Sequence, residues 1–274
     1  MRGAAVAAVP VSGTPTRPLP TRPMSIQPAP VRWVLARTLP GLLLLAVLAG
    51  AVGLGPAGLL VGAGCLLGTN ALLVAALNRD AAARGRAGNR GLSPANRITL
   101  VRATLVAAVT ALVTDSFSDP IDRPVLVALA AIVLALDAVD GRVARRTGSS
   151  ELGARFDMET DAWLIAVLSC YVATEAGAWV LGIGLARYAY LAAEQVLPWL
   201  PGPVPPRYWN KVVAAVQGIV LTAVASGQVP PAAAVAALAV ALGLLVESFG
   251  RQAGWRARLH RQRTASLDGG VGHG

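Results

Sequence analysis

Charged side chains are scarce in this sequence. They make up 14% of the 274 residues, where a soluble domain carries about a quarter. That shortage, with 55% hydrophobic residues and a mean hydropathy of +0.59, excludes a water-soluble globule and a chain disordered throughout. Cysteine is reduced to Cys65 and Cys170, each inside an apolar run. Neither a disulfide framework nor a paired-cysteine metal site can be built from them, so they read as packing residues. Histidine is limited to His260 and His273 in a polar tail, which makes a mechanism built on a histidine base a poor fit. Lysine is reduced to Lys211, so arginine carries the net charge of +10. In an apolar chain such an excess speaks of topology and anionic lipid head groups, and no nucleic-acid partner is expected. Aromatics stand at 5% against 29 glycines, a mixture suited to closely packed membrane helices.

The polytopic class then organises the chain. Seven prolines fall in the first 30 residues, a composition that cannot repay the entropy of folding, and residues 1–32 read as a disordered extension. The brief apolar run at residues 4–9, interrupted by Pro10, is no convincing secretory segment. No charge occurs from Thr38 to Asn78, about twice the roughly 20 residues that one span needs, and Gly55-Pro56 divides the stretch into two spans within residues 33–78. An arginine-rich linker follows at residues 79–91. Six more apolar segments begin near Ile98, Pro124, Ala162, Ala178, Val212 and Pro230, giving a core at residues 92–250 and a basic tail at 251–274. Arginine-rich and arginine-poor connections alternate as eight spans with both termini in the cytoplasm require. The expected fold is therefore an all-α integral membrane protein in the cell membrane, a six-helix core preceded by two extra transmembrane helices.

Chemistry concentrates in one place. Six of the fourteen acidic residues lie between Asp137 and Asp161, at or near membrane depth, where an unpaired charge costs at least about 2.5 kcal/mol. Asp137 and Asp140 are spaced i, i+3 near one helix end, and Asp157 and Asp161 i, i+4 near the start of the next, so each pair projects from one helix face. A short connection makes these helices antiparallel neighbours whose acid pairs converge. Such a cluster calls for cations, and oxygen-only ligands favour Mg²⁺ or Mn²⁺ over zinc. Between the pairs, Gly141, Ala144, Ser150 and Gly153 leave room for a ligand, and Arg145 offers a planar donor fork for phosphate. Carboxylates, divalent metal and arginine together describe diphosphate chemistry at a membrane boundary.

The spacing Asp137-x2-Asp140-Gly141-x2-Ala144-Arg145-x7-Gly153-x3-Asp157-x3-Asp161 resembles, at every fixed position, the signature of the CDP-alcohol phosphatidyltransferase family. Upstream, Asn96-Arg97-Ile98-Thr99-Leu100-Val101-Arg102 is similar to the Asn-x-x-Thr-x-x-Arg opening of that family's first core helix. The resemblance covers roughly residues 92–249 and leaves the first two spans and both tails outside it.

It implies a six-helix core, usually in a homodimer, that transfers a phosphatidyl or related group from a CDP-linked donor to an alcohol and releases CMP. It further implies that Asp137, Asp140 and Asp157 ligate two divalent ions. Asp161 would complete that metal site and act as the base for the acceptor hydroxyl. Asn96, Thr99, Gly141, Arg145 and Ser150 match positions that hold the nucleotide donor, expected to be CDP-diacylglycerol.

Arg187, Arg207 and Lys211 sit where an anionic acceptor could dock, although snorkelling to the interface explains them almost as well. The stretch Leu185-Ala186-Arg187-Tyr188-Ala189 lacks the lysine and glutamate of inositol-phosphate-using relatives. Lys211 and Gln217 match the lysine-rich stretch of glycerol phosphate synthases only loosely, so the acceptor stays open, an uncharged polyol included. The alternative class is a cation transporter using Asp137, Asp140, Asp157 and Asp161. It predicts acids recurring across several spans, whereas residues 212–246 carry no charge. Trp199 and Trp209 read as interface-belt residues, and the arginines of residues 251–263 as a solvated tail on anionic lipid.

Overall fold

A computed structural model describes residues 31–83, 94–147, 151–197, 199–200 and 208–270. Among these residues there is no strand; the chain forms eight α-helices and one short 3₁₀ turn at Ala178–Val180. The helices are α1 (Val31–Val52), α2 (Pro56–Ala83), α3 (Pro94–Asp115), α4 (Arg123–Thr147), α5 (Glu151–Ala176), α6 (Leu181–Val196), α7 (Tyr208–Ala225) and α8 (Pro231–Gly270). Proline marks several starts: Pro56, Pro94 and Pro231 are first helical residues and Pro124 is the second of α4. A missing N–H costs nothing there, and the fixed φ suits the first turn. Gly53 and Gly177, at φ of 70° and 101°, supply the left-handed residues between α1 and α2 and after α5.

Helix α3 is the axis of the packing. Its residues Val106, Ala107, Ala108, Val109, Ala111 and Leu112 are all at most 2% exposed, and it touches α1, α2, α4 and α5. Its approach to α2 depends on small residues. A Cβ added to Gly58 would lie 2.6 Å from the Ala111 carbonyl oxygen, and one added to Gly62 would lie 2.7 Å from the Ala111 Cβ. The first two helices are therefore seated on the core. Asp115 at the end of α3 reinforces the join by accepting the Gly55 N–H at 2.5 Å, which places a carboxylate at the start of α2, where the helix dipole favours it. Helices α7 and α8 are joined by Gln217, fully buried, whose Nε2 donates to the Ala241 carbonyl at 2.8 Å.

Among the described residues, three helical segments are long and apolar enough to cross a membrane: Pro56–Ala76, Ile98–Asp115 and Pro231–Gln262. Leu43, Leu60, Leu72, Val240 and Val246 are each more than 60% exposed, an outward apolar surface that belongs in lipid and not in water. The chain is thus an all-helical membrane protein.

Two helices differ from expectation. Helix α5 begins at Glu151, eleven residues before the apolar segment expected near Ala162, because a polar stretch precedes the apolar one in the same helix. Helix α8 runs unbroken for 40 residues through the arginines expected as a solvated tail, and Arg256 within it is only 6% exposed, 3.6 Å from Glu194 on α6. The expected N-terminal extension up to residue 30 and the 84–91 part of the linker lie outside the described residues.

Candidate functional site

The early start of α5 is what builds the site. Because the helix is continuous from Glu151, Asp157 and Asp161 stand one turn apart on it, facing Asp137 near the end of α4. One carboxylate oxygen from each of Asp137, Asp157 and Asp161 lies within 4.8 Å of the other two. Three like charges so close repel by about 3 kcal/mol per pair at an effective dielectric constant of about 20, so the arrangement needs a cation.

Among the described residues that cation is Arg102. It projects from α3 into the cluster with its side chain fully buried, its Nη1 3.1 Å from Asp137 and hydrogen-bonded to Asp157, and its Nη2 hydrogen-bonded to Asp161. One guanidinium fork therefore ties α3, α4 and α5 together at their polar ends. Farther along the same helices, the Trp163 Nε1–H donates to the Thr110 hydroxyl at 3.1 Å and fixes α5 against α3. In the sequence Arg102 belongs to the Asn96–Arg102 motif without a role of its own. Its register, one turn after Thr99, was the available signal, since both residues fall on the inward face of α3.

The other expected residues are distributed as follows. Thr99 is 2% exposed on the Arg102 face of α3. Gly141 lies in α4 one turn past Asp137, and Gly153 in the first turn of α5. The side chains of Asn96, Asp140 and Arg145, and the whole of Ser150 and Arg207, lie outside the described residues. Arg187 on α6 is held by Glu159 of α5 at 2.6 Å, and Glu159 sits between Asp157 and Asp161 in the chain but on another face of the helix. Lys211 is exposed in the first turn of α7. Trp209, expected only as a belt residue, donates from Nε1 to Glu247 on α8 at 3.0 Å.

The donor set fits a hard divalent ion. Its members are all carboxylates, they converge from two helices, and three of them against the one guanidinium of Arg102 leave net negative charge. With a divalent ion bound, such a set would serve to hold and neutralise a diphosphate.

Comparison with known proteins agrees with this chemistry. No curated protein and no solved structure matches the chain. A family model does match, that of the CDP-alcohol phosphatidyltransferases, over residues 92–246, the segment that runs from α3 into α8 and holds every carboxylate of the cluster. Enzymes of this family move a phosphate-linked group between a CDP-alcohol and a second alcohol and depend in general on divalent metal. Since the match takes in more than half of its residues, the chain belongs to the CDP-alcohol phosphatidyltransferase family.

Proposed function

We propose that this protein transfers the phosphatidyl group of CDP-diacylglycerol to an alcohol acceptor and releases CMP, with Mg²⁺ or Mn²⁺, as a step of phospholipid synthesis. The observation that carries the reading is the convergence of Asp137, Asp157 and Asp161, with oxygens within 4.8 Å, at the polar ends of α4 and α5. An apolar outer surface beside a polar site suits a donor with lipid tails and a water-soluble nucleotide head. We propose eight spans, with both termini and the site on the cytoplasmic side of the cell membrane, since the arginine-rich connections all fall on one side of that topology. The catalytic core is residues 92–250, and the working form is a homodimer, as the family resemblance implies.

Each residue then has a task. Asp137, Asp140, Asp157 and Asp161 would hold two divalent ions, which supply charge neutralisation of the diphosphate when bound. Asn96, Thr99, Gly141, Arg145 and Ser150 hold the nucleotide end of the donor. Arg145 contributes a fork to phosphate, and Gly141 contributes closeness of approach. Asp161 takes the proton of the acceptor hydroxyl on a carboxylate oxygen. The hydroxyl oxygen forms its bond to the phosphatidyl phosphorus as the bond from that phosphorus to the CMP oxygen breaks. Arg102 is paired with the carboxylate of Asp161 and offsets part of the cluster's charge. Arg187, Arg207 and Lys211 receive an anionic acceptor.

The test is CMP release from CDP-diacylglycerol by the purified full-length protein with Mn²⁺ or Mg²⁺. Glycerol 3-phosphate, inositol 1-phosphate, inositol and serine serve as acceptors, and EDTA and Asp161→Asn as controls. Metal-dependent release with one acceptor, lost in the variant, is expected. Absence of both turnover and CDP-diacylglycerol binding would overturn the reading.

A further inference from the structure

Arg102 raises a question that the reaction alone does not answer. A fully buried guanidinium stands on the same carboxylates that the proposed reading gives to metal, 3.1 Å from Asp137 and in contact with Asp157 and Asp161. It is rooted in α3, which packs against both α4 and α5, and its side chain is fully buried between them. Three carboxylates against one guanidinium leave a net negative charge for a divalent ion to meet, but that ion must sit within a few ångströms of a positive group that stays in place. The repulsion between them is largest where the surroundings are least watery. A ligand bringing its own negative charge reverses the balance.

We infer that Arg102 is a resident counter-ion which stabilises the empty carboxylate cluster and competes with divalent metal for it, so that metal binds tightly only together with a diphosphate. This rests on the family reading of the site and adds to it an order of assembly. Without nucleotide the cluster is held by Arg102 and binds metal weakly. With nucleotide, the added anionic charge outweighs the guanidinium and metal and donor enter as a pair. The alternative, that Arg102 merely organises the ligands, predicts the opposite sign, because removing an organiser weakens metal binding.

The deciding experiment measures Mn²⁺ binding to the full-length protein in detergent by the electron paramagnetic resonance signal of free Mn²⁺, with and without CDP. The wild type is expected to bind Mn²⁺ roughly tenfold more tightly with CDP than without. Arg102→Gln is expected to bind Mn²⁺ alone roughly tenfold more tightly than the wild type, with the CDP effect shrunk accordingly. It also melts at a lower temperature in EDTA and regains stability on adding Mn²⁺ by a wider margin than the wild type. If Arg102→Gln does not fold, Arg102→Met removes the charge while keeping most of the side chain's length and is likewise expected to tighten metal-only binding roughly tenfold. Unchanged or weaker metal-only binding in the folded variant overturns the inference and leaves the proposed reaction standing. A wild type that binds no Mn²⁺ even with CDP overturns the reading of the site, and this inference with it.

Discussion

Helix α2 offers a test in which one substitution, made twice on one helix, should have opposite signs. Gly58 faces α3, and a Cβ placed on it would sit 2.6 Å from the Ala111 carbonyl oxygen and 3.0 Å from the Leu54 Cδ1. Carbon-to-oxygen contacts between helices settle at about 3.3 Å, so Gly58→Ala forces the backbones of α2 and α3 apart by roughly 0.7 Å. No rotamer change can relieve this, because a Cβ has no torsion of its own. Overpacking of this kind costs about 1–3 kcal/mol, offset by the gain of about 1 kcal/mol in replacing helical glycine with alanine. Gly64, on the outward side of the same helix, has nothing within 4 Å of its added Cβ and receives only the gain. Gly58→Ala should therefore be less stable than Gly64→Ala by about 2 kcal/mol. Thermal unfolding of each purified variant in detergent, followed by tryptophan fluorescence and by the fraction that stays monodisperse, reads the difference. Gly58→Ala matching or exceeding Gly64→Ala in stability would refute the close seating of α2 on the core.

Three further outcomes are expected. Asp115→Ala removes the acceptor of the Gly55 N–H and the charge at the start of α2, costing about 1–2 kcal/mol by the same unfolding assay. Trp163→Phe gives up the hydrogen bond to Thr110 and should cost about 1 kcal/mol, with CMP release falling only as far as α5 shifts. Glu159→Gln releases Arg187 from a pair whose acid is 46% exposed. Its stability cost should stay below about 1 kcal/mol, while steady-state kinetics show a changed KM for an anionic acceptor and an unchanged kcat.

What could be read from the sequence was governed by local periodicity and by spacing. The all-helical membrane class followed from apolar runs and proline placement, and the convergence of Asp137 with Asp157 and Asp161 followed from i, i+3 and i, i+4 spacing across a short connection. Arg102 escaped because an arginine at the polar end of an apolar helix is ordinarily a topology anchor. Its burial depends on α4 and α5 closing over it, 35 and 55 residues further along the chain. The pairing of Glu159 with Arg187 is equally non-local, joining two helices across 28 residues. That α5 reaches back as far as Glu151, a turn and a half before Asp157, gives no hydropathy signal, because that stretch is polar. The continuation of α8 escaped for the same reason, since arginines on a helix and arginines on a tail have one composition.

The position of the carboxylates at helix ends has a consequence for the bilayer itself. In α4 the uncharged stretch ahead of Asp137 is thirteen residues, 124–136, and in α5 the stretch after Asp161 is again thirteen, 162–174. At 1.5 Å per residue each covers about 20 Å of a hydrocarbon layer about 30 Å thick. On the proposed topology, lipid next to the partly exposed α4 would dimple inward toward the level of Asp137, or let head groups and water descend along it, at fractions of a kcal/mol per ångström. A phospholipid arriving at such a depression finds its phosphate already lowered to the level of the acids while its acyl chains stay in oil. On the proposed function and topology, such a depression would shorten the climb of the substrate to the acids.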